Sequence, residues 1–179
     1  MPPEYDLSAL VEAAQNGDRS AFGPLFQKFA PALHGILLAR LNSSEADDLV
    51  QDAFLTAMNQ IGSLRDPAKF GAWIMAIARN RSNDHLRRQK KSAELPPEIA
   101  ARENVTARAE AERVMQLIRE LPEAYRETLT LRLVEGMTGP EIAAVTGLMP
   151  GSVRVNLHRG MKALKERLEG SPVHARSAE

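Results

Sequence analysis

The residues with the densest chemical potential form an acidic block, Asp47-Asp48-Leu-Val-Gln51-Asp52, preceded by Glu45 and containing no basic residue. Paired carboxylates can act as general acid and base or hold a cation, but that chemistry needs a partner histidine, a nucleophile or a metal-ligand pattern, and none stands nearby. Acids in the first turn of a helix are already explained by the favourable helix dipole. The four histidines, His34, His85, His158 and His174, are scattered singly, and there is no cysteine. This excludes thiol nucleophiles, disulfides and cysteine-based zinc sites and leaves metal binding unsupported. The chain is expected to be no enzyme and to need no cofactor.

Two other clusters suggest binding instead. Residues 79–91 hold six basic side chains (Arg79, Arg81, Arg87, Arg88, Lys90, Lys91) against Asp84, and residues 154–167 hold five (Arg154, Arg159, Lys162, Lys165, Arg167) against Glu166. Residues 94–112 are acidic in turn, with five acids against Arg102 and Arg108. The zero net charge of the 179 residues is therefore a sum of segregated patches, two suited to nucleic acid and others to a protein partner.

Around the first basic cluster, Phe70, Trp73, Asn80 and Asn83 precede or interleave the cations. Single strands are bound by stacking bases on rings while cations follow the backbone, and an amide such as Asn80 can read an unpaired base edge. Phe70, Trp73 and Ile77 also have the spacing of a core stripe, and for Trp73 burial is the expectation. The second cluster follows Thr138-Gly-Pro-Glu141-Ile-Ala-Ala143-Val-Thr-Gly147-Leu148-Met-Pro-Gly-Ser152-Val153. Thr138 and Glu141 form a capping box, Gly147 supplies a turn, and Ile142, Leu148 and Val153 are placed to fill the space between two helices. This is a helix-turn-helix, whose second helix would present Ser152, Arg154, Val155, Asn156, His158 and Arg159 to base edges, with Lys162 and Lys165 nearer the phosphates. Arginine can pair with guanine and asparagine with adenine. The plainer alternative is a three-helix bundle with a solvated charged helix.

The elements that must position these residues are all helical. Aromatics make up 4% of the residues, alternating Val/Ile/Thr runs are missing, and apolar residues recur at helical spacing. A first helix runs through Leu7, Leu10, Val11 and Ala14 to Gly17, and Asp18 caps the next. The face Phe22, Leu25, Phe26, Phe29, Leu33, Ile36, Leu37 and Leu41 reads as one kinked helix or two abutting ones, because of Pro24 and Pro31. Ser44 and Asp47 resemble a cap for the acidic helix, which Gly62 ends, and Asp66-Pro67 starts the basic helix. Leu95-Pro96-Pro97 breaks the pattern. Helices through Val114–Leu121 positions and Tyr125–Val134 positions, divided by Pro122, precede the helix-turn-helix. The expectation is an all-α fold of two small helical domains, residues 1–92 and 113–170, on a flexible linker (93–112), with a tail at 171–179. The start lacks a signal-peptide pattern and no stretch is long enough to span a bilayer, so a cytoplasmic protein is expected.

At these motifs the chain resembles the extracytoplasmic-function sigma factors of bacterial RNA polymerase, from about Leu7 to Leu168. Gly17-Asp18 with Ala21-Phe22, the acidic block with Ala53-Phe54, and Phe70 through Asn80 look like the family's region 2. Leu121-Pro122-Glu123, Glu141-Ile-Ala, and Val153-Arg154 through Arg159 look like its region 4. The resemblance implies that Asp48, Gln51 and Asp52 bind core RNA polymerase. It implies that Arg65, Lys69, Phe70, Arg79, Asn80, Arg81, Asn83, Arg87 and Arg88 engage the melted −10 strand, and that Ser152, Arg154, Val155, Asn156, His158, Arg159 and Lys162 engage duplex −35 DNA. A separate anti-sigma protein is the implied regulator. The chain departs from the family at Val155-Asn156, where a serine and a basic residue are common. The competing reading is a stand-alone helix-turn-helix regulator, which would leave the first half unexplained.

Overall fold

The computed structural model describes residues 6–92 and 107–169. Among them every regular element is helical. The expected linker therefore lies mostly outside the described residues, as does the tail. Residues 107–112, also assigned to the linker, are instead the start of a helix.

Helix α1 (Leu7–Gln15) is capped by the Asp6 side chain and ends before Gly17. A 3₁₀ turn, Arg19–Ala21, with Asp18 as its cap, leads into α2 (Phe22–Leu38). Pro31 sits inside that single helix. Helix α3 (Ser43–Gln60) begins with a capping box in which Asn42 accepts from the Glu45 amide and Glu45 accepts from the Asn42 amide. The expected Ser44/Asp47 cap is thus displaced: the cap and the helix start lie two residues earlier, which places Ser44 and Asp47 inside the helix. Two 3₁₀ turns follow, Ile61–Ser63 and Pro67–Lys69, the second capped by Asp66, and the chain then enters α4 (Phe70–Ser92).

The second half comprises α5 (Ala107–Arg119), α6 (Glu123–Leu133), α7 (Gly139–Thr146) and α8 (Pro150–Glu169). Thr138 and Glu141 form their expected capping box, and Gly147 closes α7 at φ 73°. A residue with a Cβ is strained there, which is why glycine makes this turn. Leu148, expected between the two helices, is 38% exposed, whereas Ile142 and Val153 are fully buried.

Helices α2, α3 and α4 enclose one apolar core, built from Leu25, Phe29, Leu33, Ile36, Phe54, Phe70, Ile74 and Met75 among others. Phe26, expected on that face, is 41% exposed; it lies one row round the helix from Leu25, Phe29 and Ile36 and tilts its ring onto Phe54 at 4.7 Å. A smaller cluster of Ile118, Leu121, Leu129 and Leu164 joins α5, α6 and α8. Leu131, Ile142, Val145 and Val153 of the second half belong to the first half's core, so one continuous apolar cluster crosses the seam. Two glycines let the halves approach. A Cβ on Gly35 would lie 2.8 Å from Leu131 Cδ2, and one on Gly71 would lie 2.9 Å from the Val145 carbonyl oxygen.

Candidate nucleic-acid and polymerase interface

Three surfaces carry the side chains singled out by sequence. On α3, Asp48 and Gln51 are exposed and Asp52 is half-buried. Their spacing puts them on one helical stripe that continues into Leu55, 59% exposed, and Met58. The stripe combines carboxylates, an amide and bare apolar area, suited to a protein partner that offers cations around an apolar contact. Met58, expected on the apolar face with Ala53 and Phe54, is exposed at its margin; Leu55 escaped the sequence reading because alone it fits an apolar helix, and its signal is that it extends the row of Asp48 and Gln51. Beside this stripe an open groove of about 540 Å³ is lined by Phe26, His34, Asp47, Val50, Gln51 and Glu135.

The second surface is α4 with the loop before it. Arg65, Lys69, Asn80, Asn83, Arg87 and Arg88 are exposed, although Lys69 and Arg87 also pair with Asp66 and Asp84 at 3.3 and 2.8 Å. Phe70 is not on this surface. Its ring is completely buried against Phe29 and Trp73, with centroids at 5.2 and 5.8 Å, so it supports the surface from beneath and has no face to offer a base. Trp73 is half-buried against the same core, as expected. Arg79 and Arg81 are tied internally. Arg81 donates to Thr56 Oγ1 at 2.6 Å and pairs with Asp52 at 3.3 Å, linking the α4 surface to the acidic stripe of α3. His85 bridges to Glu45 at 3.0 Å; burial pushes that carboxyl up, but His85 and the Asn42 amide outweigh it and hold the group below its ordinary range.

The third surface is α8. Val153, Gly160 and Leu164 face inward. Ser152, Arg154, Val155, His158, Arg159 and Lys162 are exposed and Asn156 is half-buried. Positions 154, 158 and 162, with 155 and 159, share one outward face. Helix α7, the turn at Gly147 and this exposed basic face make up the geometry that inserts a helix into the major groove.

A fourth set of residues joins the halves, a role the sequence did not disclose. Arg79 donates from Nε to Glu127 Oε1 at 3.0 Å and from Nη2 to Oε2 at 2.7 Å. Arg40 donates to Asn83 at 3.0 Å, to Glu127 at 3.2 Å and to Glu123. Arg119 reaches from α5 to the end of α2, donating to the carbonyls of Leu38 and Leu41 at 3.2 and 2.7 Å, where helix carbonyls otherwise lack donors. His34 lies 2.7 Å from Glu135 and 3.5 Å from Asp47. The bond to Glu135 raises its pKa above the ordinary value, against the opposing effect of burial. The available signal was Glu127, a carboxylate one turn from Leu131 on an inward helical face, which requires a cation from elsewhere.

Among the described residues no group of three acidic, histidine or cysteine side chains could hold a metal ion, and no helix is long and apolar enough to cross a membrane.

Comparison with known proteins agrees over both halves. Residues 25–92 match sigma-70 region 2 and residues 111–164 match sigma-70 region 4. The chain is 31% identical to the RNA polymerase sigma factor CarQ of Myxococcus xanthus, over 88% of this chain and 95% of that protein. It is 26% identical to the ECF RNA polymerase sigma factor SigW of Bacillus subtilis, over 92% and 98% of the two chains. Among solved structures it is similar to CnrH in complex with the cytosolic domain of CnrY, at 28% identity and a TM-score of 0.62, covering 92% of this chain and 98% of that one. It also shares the fold of the sigma factor RpoE, in complex with the anti-sigma factor NepR, from Bartonella quintana, with a TM-score of 0.55 at 20% identity over 84% and 98% of the chains.

Proposed function

The chain belongs to the extracytoplasmic-function sigma factors of RNA polymerase, and from that membership we propose how its surfaces divide the work. As a sigma factor it binds core RNA polymerase and directs promoter-specific initiation. The exposed α3 stripe of Asp48, Gln51 and Asp52, with Leu55 beside it, is the polymerase contact. The α4 surface of Arg65, Lys69, Asn80, Asn83, Arg87 and Arg88 holds the separated −10 strand. Phe70 is left out of that set because its ring is buried, and Arg79 and Arg81 because Glu127 and Asp52 hold them. Helix α8 reads the −35 duplex through Arg154, Val155, His158 and Arg159, with Lys162 toward the phosphates.

The protein needs no catalytic group for this. Binding free energy given preferentially to separated strands shifts the opening equilibrium, while polymerase supplies the chemistry. Its place is the cytoplasm, with the polymerase and the chromosome. An anti-sigma protein is its regulator, a reading supported by the solved neighbour bound to NepR. The observation that carries the whole assignment is the presence, in one chain, of the α3 acidic stripe and a complete helix-turn-helix. A stand-alone regulator needs only the latter.

The experiment is to add the purified chain to core polymerase and map transcripts from promoter fragments. Specific starts should require the chain, and Asp48→Lys should weaken polymerase affinity tenfold or more, about 1.4 kcal/mol, while −35 duplex affinity stays unchanged. Asp48 is the cleaner probe than Asp52, which also holds Arg81. Equal polymerase affinity for wild type and Asp48→Lys would reject the α3 assignment.

A further inference from the structure

The side chains that α8 shows at its groove-entering end are of two kinds. Ser152, Arg154, His158 and Arg159 are exposed and can donate or accept hydrogen bonds. Val155 can do neither, yet it is 43% exposed, and among the described residues 151–160 it is the one large apolar side chain left open. The helix gains little from it. Its inward face belongs to Val153, Gly160 and Leu164, and a β-branched residue on a helix surface is a poorer helix former than alanine, leucine or arginine.

We propose that Val155 determines specificity for a thymine in the −35 element, whose 5-methyl group packs against the two methyls of the valine. The inference rests on the −35 reading of α8 proposed above and deepens it by naming the base that one side chain selects. Helical side chains lean toward the N-terminus of their helix, so Val155 leans toward Gly151 and Ser152, one turn nearer the entering end. The space over Gly151 is empty: a Cβ built there would meet nothing within 4 Å. The methyls of Val155 are therefore uncovered on the side that meets DNA.

The chemistry of the major groove leaves one partner for such a side chain. Guanine presents N7 and O6, adenine N7 and its N6 amine, and cytosine its N4 amine; thymine alone adds a methyl group. A valine set against the polar groups displaces their water and returns no hydrogen bond, which penalises the other bases. Against thymine it buries apolar surface on apolar surface instead. Val155 and Arg159 are about 6 Å apart along the helix axis at 1.5 Å per residue, a span of about two base pairs at 3.4 Å each. The thymine therefore falls within about two base pairs of the base that Arg159 reads.

Holoenzyme assembled from core polymerase and the full chain can select its preferred −35 sequence from a randomised duplex library. Each thymine of that sequence is then replaced by deoxyuridine, which removes the methyl group and keeps every hydrogen-bonding group. At one thymine wild type should lose about fourfold in affinity, the size expected for burying one methyl group. Val155→Ser should bind the thymine and uracil duplexes alike, and Val155→Ile, which keeps a branched apolar side chain, should retain the difference. With cytosine at the same position, 5-methylation of that cytosine should raise the affinity of wild type and leave Val155→Ser unchanged. Val155 lies outside both apolar clusters, so the variants should keep the wild-type thermal midpoint. A preferred sequence with no uracil-sensitive thymine, or a uracil loss of equal size in wild type and Val155→Ser, would overturn the contact while leaving the −35 reading intact. If wild-type holoenzyme shows no −35 preference at all, the reading of α8 itself fails and the Val155 contact fails with it.

Discussion

Arg79 and Glu127, 48 residues apart, form a two-pronged ion pair across the seam, with Nε 3.0 Å from Oε1 and Nη2 2.7 Å from Oε2. Each residue looks out of place in its own helix. Arg79 stands in the basic run of α4, and Glu127 is a carboxylate among buried Leu129 and Leu131. Together they explain each other, since a buried carboxylate persists where a cation and hydrogen bonds compensate for lost hydration. The pair also makes the seam specific, because a single cation cannot serve Glu127 and a DNA phosphate at full strength at once.

The seam should respond to pH through His34, which faces Glu135 at the end of α6 and Asp47 on α3. Its pKa is raised there, chiefly by the Glu135 bond. The sign follows: protonated His34 favours the seam fully below the ordinary value of 6.5, and the contribution disappears as pH rises through the raised value. The contact between the halves should therefore weaken as pH rises above 6.5, read as a fall in the urea midpoint, and His34→Gln should flatten the response. A pH dependence that survives His34→Gln would place the switch on another group.

Gly147 should tolerate little. At φ 73° a Cβ costs about 1 kcal/mol or more in backbone strain, and here it would also come within 3.2 Å of Ala72 Cβ. Gly147→Ala should lower the urea midpoint of the second half, and Gly147→Asn should lower it less on the backbone count, because asparagine enters the left-handed region more readily. Equal midpoints for wild type and Gly147→Ala would show that the turn relaxes freely.

Helices, caps and the helix-turn-helix were legible because their determinants are local. Thr138 with Glu141, Asp66 with Pro67, and Gly147 each act within a turn of their own position. The burial of Phe70 and the outward turn of Phe26 were not legible, because an aromatic row on a helix fits either side until the neighbouring helices are in place. The seam was least legible. Arg40, Arg79, Arg119 and Glu127 are ordinary charged residues in sequence, and their pairing depends on how two halves dock, which no local spacing encodes.

On α8, Arg154 and Arg159 lie near the groove-entering end, while Lys165 is farther along and pairs with Glu169 at 3.6 Å. Replacing either arginine with Ala should remove about 1–3 kcal/mol of base discrimination if it pairs with guanine. Lys165→Ala should instead weaken all sequences alike and lessen the salt dependence. Binding selections on randomised −35 duplexes decide this: the same preferred sequence for wild type and both arginine variants would move the reading function away from these side chains.

Asn80 is exposed on α4 directly after Arg79, where a strand lying along the basic face would meet it. Its amide offers both donor and acceptor, enough to recognise the edge of one unpaired base, and a base becomes available for such reading only when the duplex has opened. Asn80→Ala should therefore slow open-complex formation on duplex promoters and relax selectivity at one −10 position, with polymerase affinity unchanged because the α3 stripe is untouched. Premelted templates should restore most of the rate and none of the selectivity, since melting is then supplied and the base contact is still missing. Permanganate footprints follow the opening and randomised −10 libraries follow the reading. Normal footprints together with an unchanged −10 preference would make Asn80 a surface amide and move the base-reading site elsewhere along α4 or the 61–69 segment before it.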